Sequence, residues 1–219
     1  MILISYEVGG SLLLHPLRRK VYSIIVESPG SYFLKLINVL NAPQGTLSWH
    51  IKRLEKEGLI GSIKFGGKRV YFPMSLRSAD AEKIFLALQN ETAKKILLFV
   101  YNHPGQYQLQ IAKGLSPPVH HDTVRYHLSR LEELNLVRLE KNRMVRVFPG
   151  KAAEELQKGS LNAISDAYVS YLMEKLREGC LHPEIVIKTT DKLILRVECP
   201  EGEDMILDLK LSDWNFFDD

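Results

Sequence analysis

Residues Gln44–Ile60 read QGTLSWHIKRLEKEGLI. Wound as a helix at about 100° per residue, Leu47, Ile51 and Leu54 fall at i, i+4 and i+7 and form a single apolar stripe. Trp49, Lys52, Arg53 and Lys56 lie on the opposite side, with Thr46 and Ser48 flanking them. A tryptophan among three cations is an unusual choice for a face that only meets water. Gly58 ends the helix, because glycine enters the left-handed conformation without a Cβ clash. Leu59–Ile60 opens an apolar run that ends in a Gly66-Gly67 turn, and Arg69–Phe72 runs back from it. The stretch therefore predicts a helix followed by a β-hairpin whose tip carries Lys68 and Arg69.

The same plan returns downstream. Asp122–Val137 reads DTVRYHLSRLEELNLV and is followed by RLE, Lys141-Asn142 and RMVRVFP. Against Thr46–Ile60, the fifteen residues Thr123–Val137 are identical at Thr123, His127, Arg130, Leu131, Glu132 and Leu136. Trp49 pairs with Tyr126, and Leu47, Ile51 and Ile60 pair with Val124, Leu128 and Val137. Upstream, Pro29-Gly30-Ser31-Tyr32 aligns with Pro104-Gly105-Gln106-Tyr107, and both hairpins close on Phe-Pro, at Phe72-Pro73 and Phe148-Pro149. The offset is 75, then 77, then 76 residues, so the slips fall in turns, where insertions are tolerated. Duplication of one whole unit is the economical reading.

A helix pair followed by a hairpin with a basic tip is the form in which a winged helix-turn-helix meets DNA. Thr46-Leu47-Ser48-Trp49-His50-Ile51, Leu54 and Gly58-Leu59-Ile60 resemble the reading helix of ArsR/MarR-type regulators, which often runs T-[VL]-S-x-H-L-x-x-L-x-x-x-G-L-[IV]. The second copy departs from that pattern at Arg125 and Asn135. Two such units in one chain are similar to a group of archaeal transcription regulators with tandem winged helices. The resemblance covers about His15–Gly150. It implies DNA binding in transcription control, while winged helices also serve as protein-binding modules.

Charge is segregated along the chain. His15–Pro73 holds ten Lys/Arg against three acids, Glu91–Pro149 nine against five, and Gly150–Asp219 eight against fifteen. Two basic units joined to an acidic end point to a polyanionic partner for the basic part. The 219 residues suffice for two small domains plus an appendage. The fold class expected is mainly α with small β-hairpin wings. It comprises two tandem winged helix-turn-helix domains plus a C-terminal helix and a small antiparallel β meander. The expected boundaries are 1–74 for the first domain with an N-terminal arm and 75–90 for a linking helix. The second domain then takes 91–150, and the C-terminal helix with an acidic meander takes 151–219.

Outward from the quoted stretch, His15-Pro16 starts a helix with Val21, Ile24 and Ile25 as its core stripe, proline being well placed in a first turn. Ser31 is placed to cap a helix Tyr32–Leu40 with Leu34, Ile37 and Leu40 inward. Asn41-Ala42-Pro43 is the turn before the reading helix. Met1–Leu14 alternates weakly, as a strand or arm would. Ser78–Gln89 predicts a connecting helix with a Ser cap and Ile84, Phe85 and Leu88 on one side. In the second unit Ile96, Phe99 and Val100, then Leu109 and Ile111, repeat the apolar pattern, and Asp122 is placed to cap the second reading helix. In Lys151–Arg177 the face Leu161, Ile164, Tyr168, Leu172 and Leu176 suits either a homodimer seam through 151–177 or packing on the chain's own β segments. Ile185–Lys188, Leu193–Glu198 and Met205–Leu211 predict three strands.

Read as a DNA-binding surface, Arg53 and Arg130 suit bidentate pairing with guanine, and Thr46, Ser48, Trp49, Thr123, Arg125 and Tyr126 suit base edges or thymine methyls. Lys52 and Lys56 suit phosphates, as do Lys68, Arg69, Lys141 and Arg143 on the hairpins, supported by Lys64, Arg138 and Arg146. Ion pairs within the helices, Arg53 with Glu57 or Arg130 with Glu133, are the competing assignment. Replacement of Lys52 by Ser129 and Lys56 by Glu133 makes the second helix less attractive to phosphate. Double-stranded DNA is the expected partner, with the transcription machinery a further one; a protein-interaction scaffold is the alternative use of the same fold. A third arrangement has the acidic, aromatic segment Cys199–Asp219 docking on the basic units and holding them off DNA.

Other chemistries leave little trace. His120, His121 and His127 are close in sequence, but no cysteine lies within either unit and no zinc-type spacing occurs, so no metal and no cofactor are expected. Cys180 and Cys199 form no CxxC, which argues for a reducing compartment. No nucleophile–base pair, Gly-rich phosphate loop or HExxH marks an enzyme. With no basic leader and no long apolar run, the expected location is the cytoplasm rather than a membrane.

Overall fold

The computed structural model describes residues 13–65, 67–74, 79–155, 161–179, 181–199, 203–211 and 214. The sequence expectations for residues 1–12, Gly66, Ser78, Gly159-Ser160, Cys180 and residues 215–219 lie outside them. Two compact units emerge, one from Met1–Arg77 with Asn162–Asp219 and one from Ser78–Leu161.

In the first unit, α1 (Pro16–Glu27) leads through β1 (Ser31–Tyr32) to α2 (Phe33–Leu40) and α3 (Gln44–Lys56). The hairpin β2 (Ile60–Phe65) and β3 (Lys68–Pro73) follows. The sheet order is β1-β3-β2, all antiparallel, with Ser31 opposite Tyr71 and Ile60 opposite Pro73. Pro16 occupies the first turn of α1, as expected, and Val21 and Ile25 are fully buried. Leu47, Ile51 and Leu54 of α3 are buried on one stripe.

The entry to α2 differs from the sequence expectation. Ser31 does not cap the helix; it sits in β1, where its Oγ donates to the Ser28 carbonyl at 2.6 Å. Pairing of Ser31 and Tyr32 with β3 delays the helix to Phe33 and rotates its stripe, so Leu36 is buried while Leu34 is 63% exposed.

The C-terminal segment completes this unit. α9 (Leu161–Glu178) precedes a meander of β7 (His182–Lys188), β8 (Lys192–Glu198) and β9 (Met205–Lys210) in the order β7-β8-β9. Tyr168, Leu172 and Leu176 of α9 are buried, so its apolar face is consumed inside the chain. The Tyr168 and Tyr22 hydroxyls share a hydrogen bond at 3.0 Å. Tyr171 Oη donates to the Gly58 carbonyl at 2.6 Å, just past the end of α3. Trp214, fully buried, donates from Nε1 to the Val26 carbonyl at 2.8 Å.

The second unit holds α4 (Ala79–Leu88), α5 (Glu91–Asn102), β4 (Gln106–Tyr107), α6 (Gln108–Gly114), α7 (His121–Glu133), β5 (Val137–Lys141), β6 (Val145–Pro149) and α8 (Lys151–Glu155). From α5 to β6 the element order is that of α1 to β3, and the sheet order β4-β6-β5 matches β1-β3-β2. Equivalent backbone bonds recur: Gly30 N to Tyr71 O and Gly105 N to Val147 O, Met74 N to Leu59 O and Gly150 N to Leu136 O. Asn135, where the second copy departs from the motif, has φ +57 against +73 at Gly58. Asparagine tolerates the left-handed region better than most residues, so the same helix stop is kept. Two expectations are corrected here. Leu109, like Leu34, is turned outward and is 56% exposed. The cap of α7 is His120, whose Nδ1 accepts from the Asp122 amide, rather than Asp122.

Candidate nucleic-acid interface

The residues expected at DNA fall in two sets, one in each unit. On α3, Thr46, Trp49, Lys52 and Lys56 are exposed and Ser48 and Arg53 half-buried; Lys68 and Arg69 are exposed at the start of β3. On α7, Thr123, Arg125, Tyr126 and Arg130 are all exposed, as are Lys141 at the end of β5 and Arg143 in the turn after it. The stripe that buries Leu47, Ile51 and Leu54 is what leaves the cationic side of α3 facing solvent.

The acids of this region are drawn back toward the body of the unit. Glu55 accepts from Ser62 Oγ of β2 at 2.5 Å, and the Glu57 charge acts on the Arg18 guanidinium. Lys52 and Lys56 are thereby left as the outward charges of α3, with Arg53 and Lys56 in its last turn, where cations complement the helix dipole.

Trp49 is 54% exposed yet held in place. Its ring stands edge-on to His50 at 4.9 Å and 74°, and the Arg18 guanidinium lies 5.4 Å from its centroid. Arg18 comes from α1 and is almost fully buried, so the first helix of the unit contributes to the surface that α3 presents. Sequence reading missed Arg18. Its signal was a cation at the head of the buried stripe of α1, one turn before Val21 and Tyr22.

The second unit builds the same feature differently. Tyr126, 56% exposed, stands edge-on to His127 at 5.1 Å and 73°. Arg130 reaches back one turn on the same helix, donating from Nη1 to Tyr126 Oη at 2.7 Å with its guanidinium 5.6 Å from the ring centroid. In both copies an exposed aromatic is thus pinned between a buried imidazole and a guanidinium. His50 has its pKa lowered by burial, then by His15 and Arg18; His127 by burial, then by Arg130. Both rings are held neutral, as suits a packing role.

At the start of α7, Asp122 accepts from Arg125 Nη2 at 2.8 Å and lies 3.4 Å and 3.6 Å from the rings of His120 and His121. One ligand atom from each of His120, His121 and Asp122 falls within 4.8 Å of the others, all three residues being exposed. The His120 Nδ1 already accepts the cap bond, and Arg125 and the positive end of the helix both oppose a cation there. On the hairpins, Lys68 lies over Tyr32 and Arg146 over Tyr107, while Arg138 donates to Glu140 and stacks on Phe148. Among the described residues no helix is long and apolar enough to cross a membrane.

Residues 14–60, from the turn before α1 to the start of β2, match the winged helix-turn-helix DNA-binding family. An uncharacterized HTH-type transcriptional regulator of Methanocaldococcus jannaschii is 39% identical over 136 residues, which is 61% of this chain. The chain spans only 34% of that relative's length.

Proposed function

We propose that the chain is a transcription regulator that binds double-stranded DNA through two winged helix-turn-helix units in tandem, with α3 and α7 as reading helices. The observation that carries this reading is the pinned, exposed aromatic with its guanidinium on the solvent face of α3, recurring at the equivalent position of α7. Arg53 and Arg130 are assigned to base edges, with Thr46, Ser48, Trp49, Thr123, Arg125 and Tyr126 beside them. Lys52, Lys56, Lys68, Arg69, Lys141 and Arg143 are assigned to phosphates. A rigid aromatic suits this task because a side chain ordered beforehand loses less entropy on binding. The first unit supplies more of the sequence-independent affinity, since Ser129 and Glu133 replace its Lys52 and Lys56. A homodimer would use a surface other than the apolar face of α9, which is buried within the chain.

The test is fluorescence anisotropy on random-sequence duplex across a salt series, for wild type and for Arg53→Ala with Arg130→Ala. Log K should fall with log salt at a slope of about −0.9 per phosphate contact. The double variant should bind more weakly, and an operator selected from a random pool should lose about 1–3 kcal/mol of discrimination per arginine. Absence of duplex binding at about 50 mM salt, where such contacts are strong, would overturn the regulator reading in favour of a protein-interaction scaffold.

A further inference from the structure

The second helix of the first unit has more apolar surface than its core uses. α2 reads FLKLINVL, and Leu36 alone is fully buried. Leu34 and Val39, 63% and 59% exposed, stand at the two edges of the outward arc, with Lys35 and Asn38 between them. The start of β3 lies beside this arc, and together they enclose a groove of about 580 Å³. Its apolar walls are Phe33, Leu34 and Val39; its cations are Lys35, Lys68 and Arg69, and among the described residues no carboxylate lines it. Tyr32 also lines the groove, under the Lys68 ammonium at 5.6 Å.

The volume is that of a small-molecule site, roughly 300–1,000 Å³, and apolar walls with a few convergent polar groups are its usual lining. Three converging cations select an anionic head, and the exposed leucine and valine select an apolar body. We propose that this groove binds an amphipathic carboxylate, and that its occupancy withdraws Lys68 and Arg69 from DNA. The competition rests on the assignment of those two residues to phosphate contacts; the binding does not. The acid engages the cations that DNA uses, so ligand and DNA weaken each other's binding by the same factor.

Decanoate is the probe, used below its micellar range, with decanol and acetate as controls that lack the charge and the apolar body. Methyl NMR titration of the full chain without DNA should give saturable shifts at Leu34 and Val39 with decanoate, and much weaker ones with decanol or acetate. Anisotropy on duplex DNA should then show decanoate raising the Kd by about fivefold or more. Leu34→Ser with Val39→Ser alters only exposed side chains, and Lys35→Ala removes a cation not assigned to DNA. Each should retain the melting temperature and the ligand-free DNA affinity but lose the response to decanoate. Failure to saturate, or equal binding of decanol, overturns the site. Saturable binding with unchanged DNA affinity overturns the competition. If the chain binds no DNA, the function proposed above fails, and the methyl titration still decides the groove.

Discussion

His50 and His127 stand at the same place in the two repeats, each one residue after an exposed aromatic, and both imidazoles are buried. Burial lowers the pKa of each, helped at His50 by His15 and Arg18 and at His127 by Arg130. A histidine held neutral in the folded state contributes stability that is fully present above its unfolded pKa of about 6.5. As pH falls through that value the unfolded chain takes up protons that the folded chain refuses, so stability declines until the folded pKa is reached. Thermal melting should be flat in pH above about 7 and fall below about 6.5, each histidine contributing at most about 1.4 kcal/mol per pH unit. His50→Asn with His127→Asn should flatten the acid limb whatever it does to the neutral value; an unchanged limb would point to other groups. A second expectation concerns Arg18. Its contact with Trp49 is of the kind worth about 0.5–1 kcal/mol at exposed sites. Arg18→Ala should leave the Trp49 indole more mobile, seen as a lower order parameter of its ring N–H in NMR relaxation, resolved from that of Trp214, and weaken duplex binding several-fold without changing the salt slope. A changed slope would mean that Arg18 itself meets phosphate.

Element by element, the helices with strong stripes were legible and the short strands were not. Leu47, Ile51 and Leu54 placed α3 within its observed bounds, because a buried stripe at helical spacing has few other solutions. The two-residue strands β1 and β4 have no periodicity to read. They exist because β3 and β6 offer an edge to pair with, and that pairing turned Leu34 and Leu109 outward and removed Ser31 from its expected cap. The braces on the candidate interface divide in the same way. Arg130 sits one turn from Tyr126 on one helix, a hydrogen bond that the sequence reading left out when it weighed guanine against Glu133, since charge is easier to read than a tyrosine hydroxyl. Arg18 reaches Trp49 across thirty-one positions, which no local pattern encodes. Helix stops were readable where glycine marked them and, at Asn135, only in the structure. The end of the second hairpin gives a sharper test of local geometry. A Cβ at Gly150 would lie 2.1 Å from the Asn135 carbonyl oxygen, a backbone atom that cannot swing aside. Gly150→Ala should destabilise the second unit by about 1–3 kcal/mol, the range for overpacking. Chemical denaturation should show it as a lower midpoint, and an unaltered midpoint would mean that the strand end relaxes without loss.

At the scale of the whole molecule, α9 and the meander are part of the first unit's core rather than an appendage. Tyr22 with Tyr168, Gly58 with Tyr171, and Val26 with Trp214 join segments more than a hundred residues apart. Sequence placed α9 and the meander after the second repeat and left open what would cover the buried face of α9. Which partner it found was illegible, because an apolar stripe specifies burial and not the surface that buries it. The arrangement also changes how the acidic segment can be tested. Deleting Cys199–Asp219 removes β9 and Trp214 along with the acids, so any change in DNA binding would mix lost charge with lost core. A cleaner probe is Trp214→Ala, which keeps every charge and empties the site of the largest fully buried side chain. The loss should be about 3–5 kcal/mol, the range for removing a buried tryptophan. Because the chain divides into two compact units, that loss should fall on one of them. Calorimetry of the full chain should show one transition moving down and a second staying in place, with the backbone amides of α5 to β6 keeping their hydrogen-exchange protection at the temperature where those of α1 to β3 lose it. Equal displacement of all transitions would instead mean that the two units unfold as a single cooperative body.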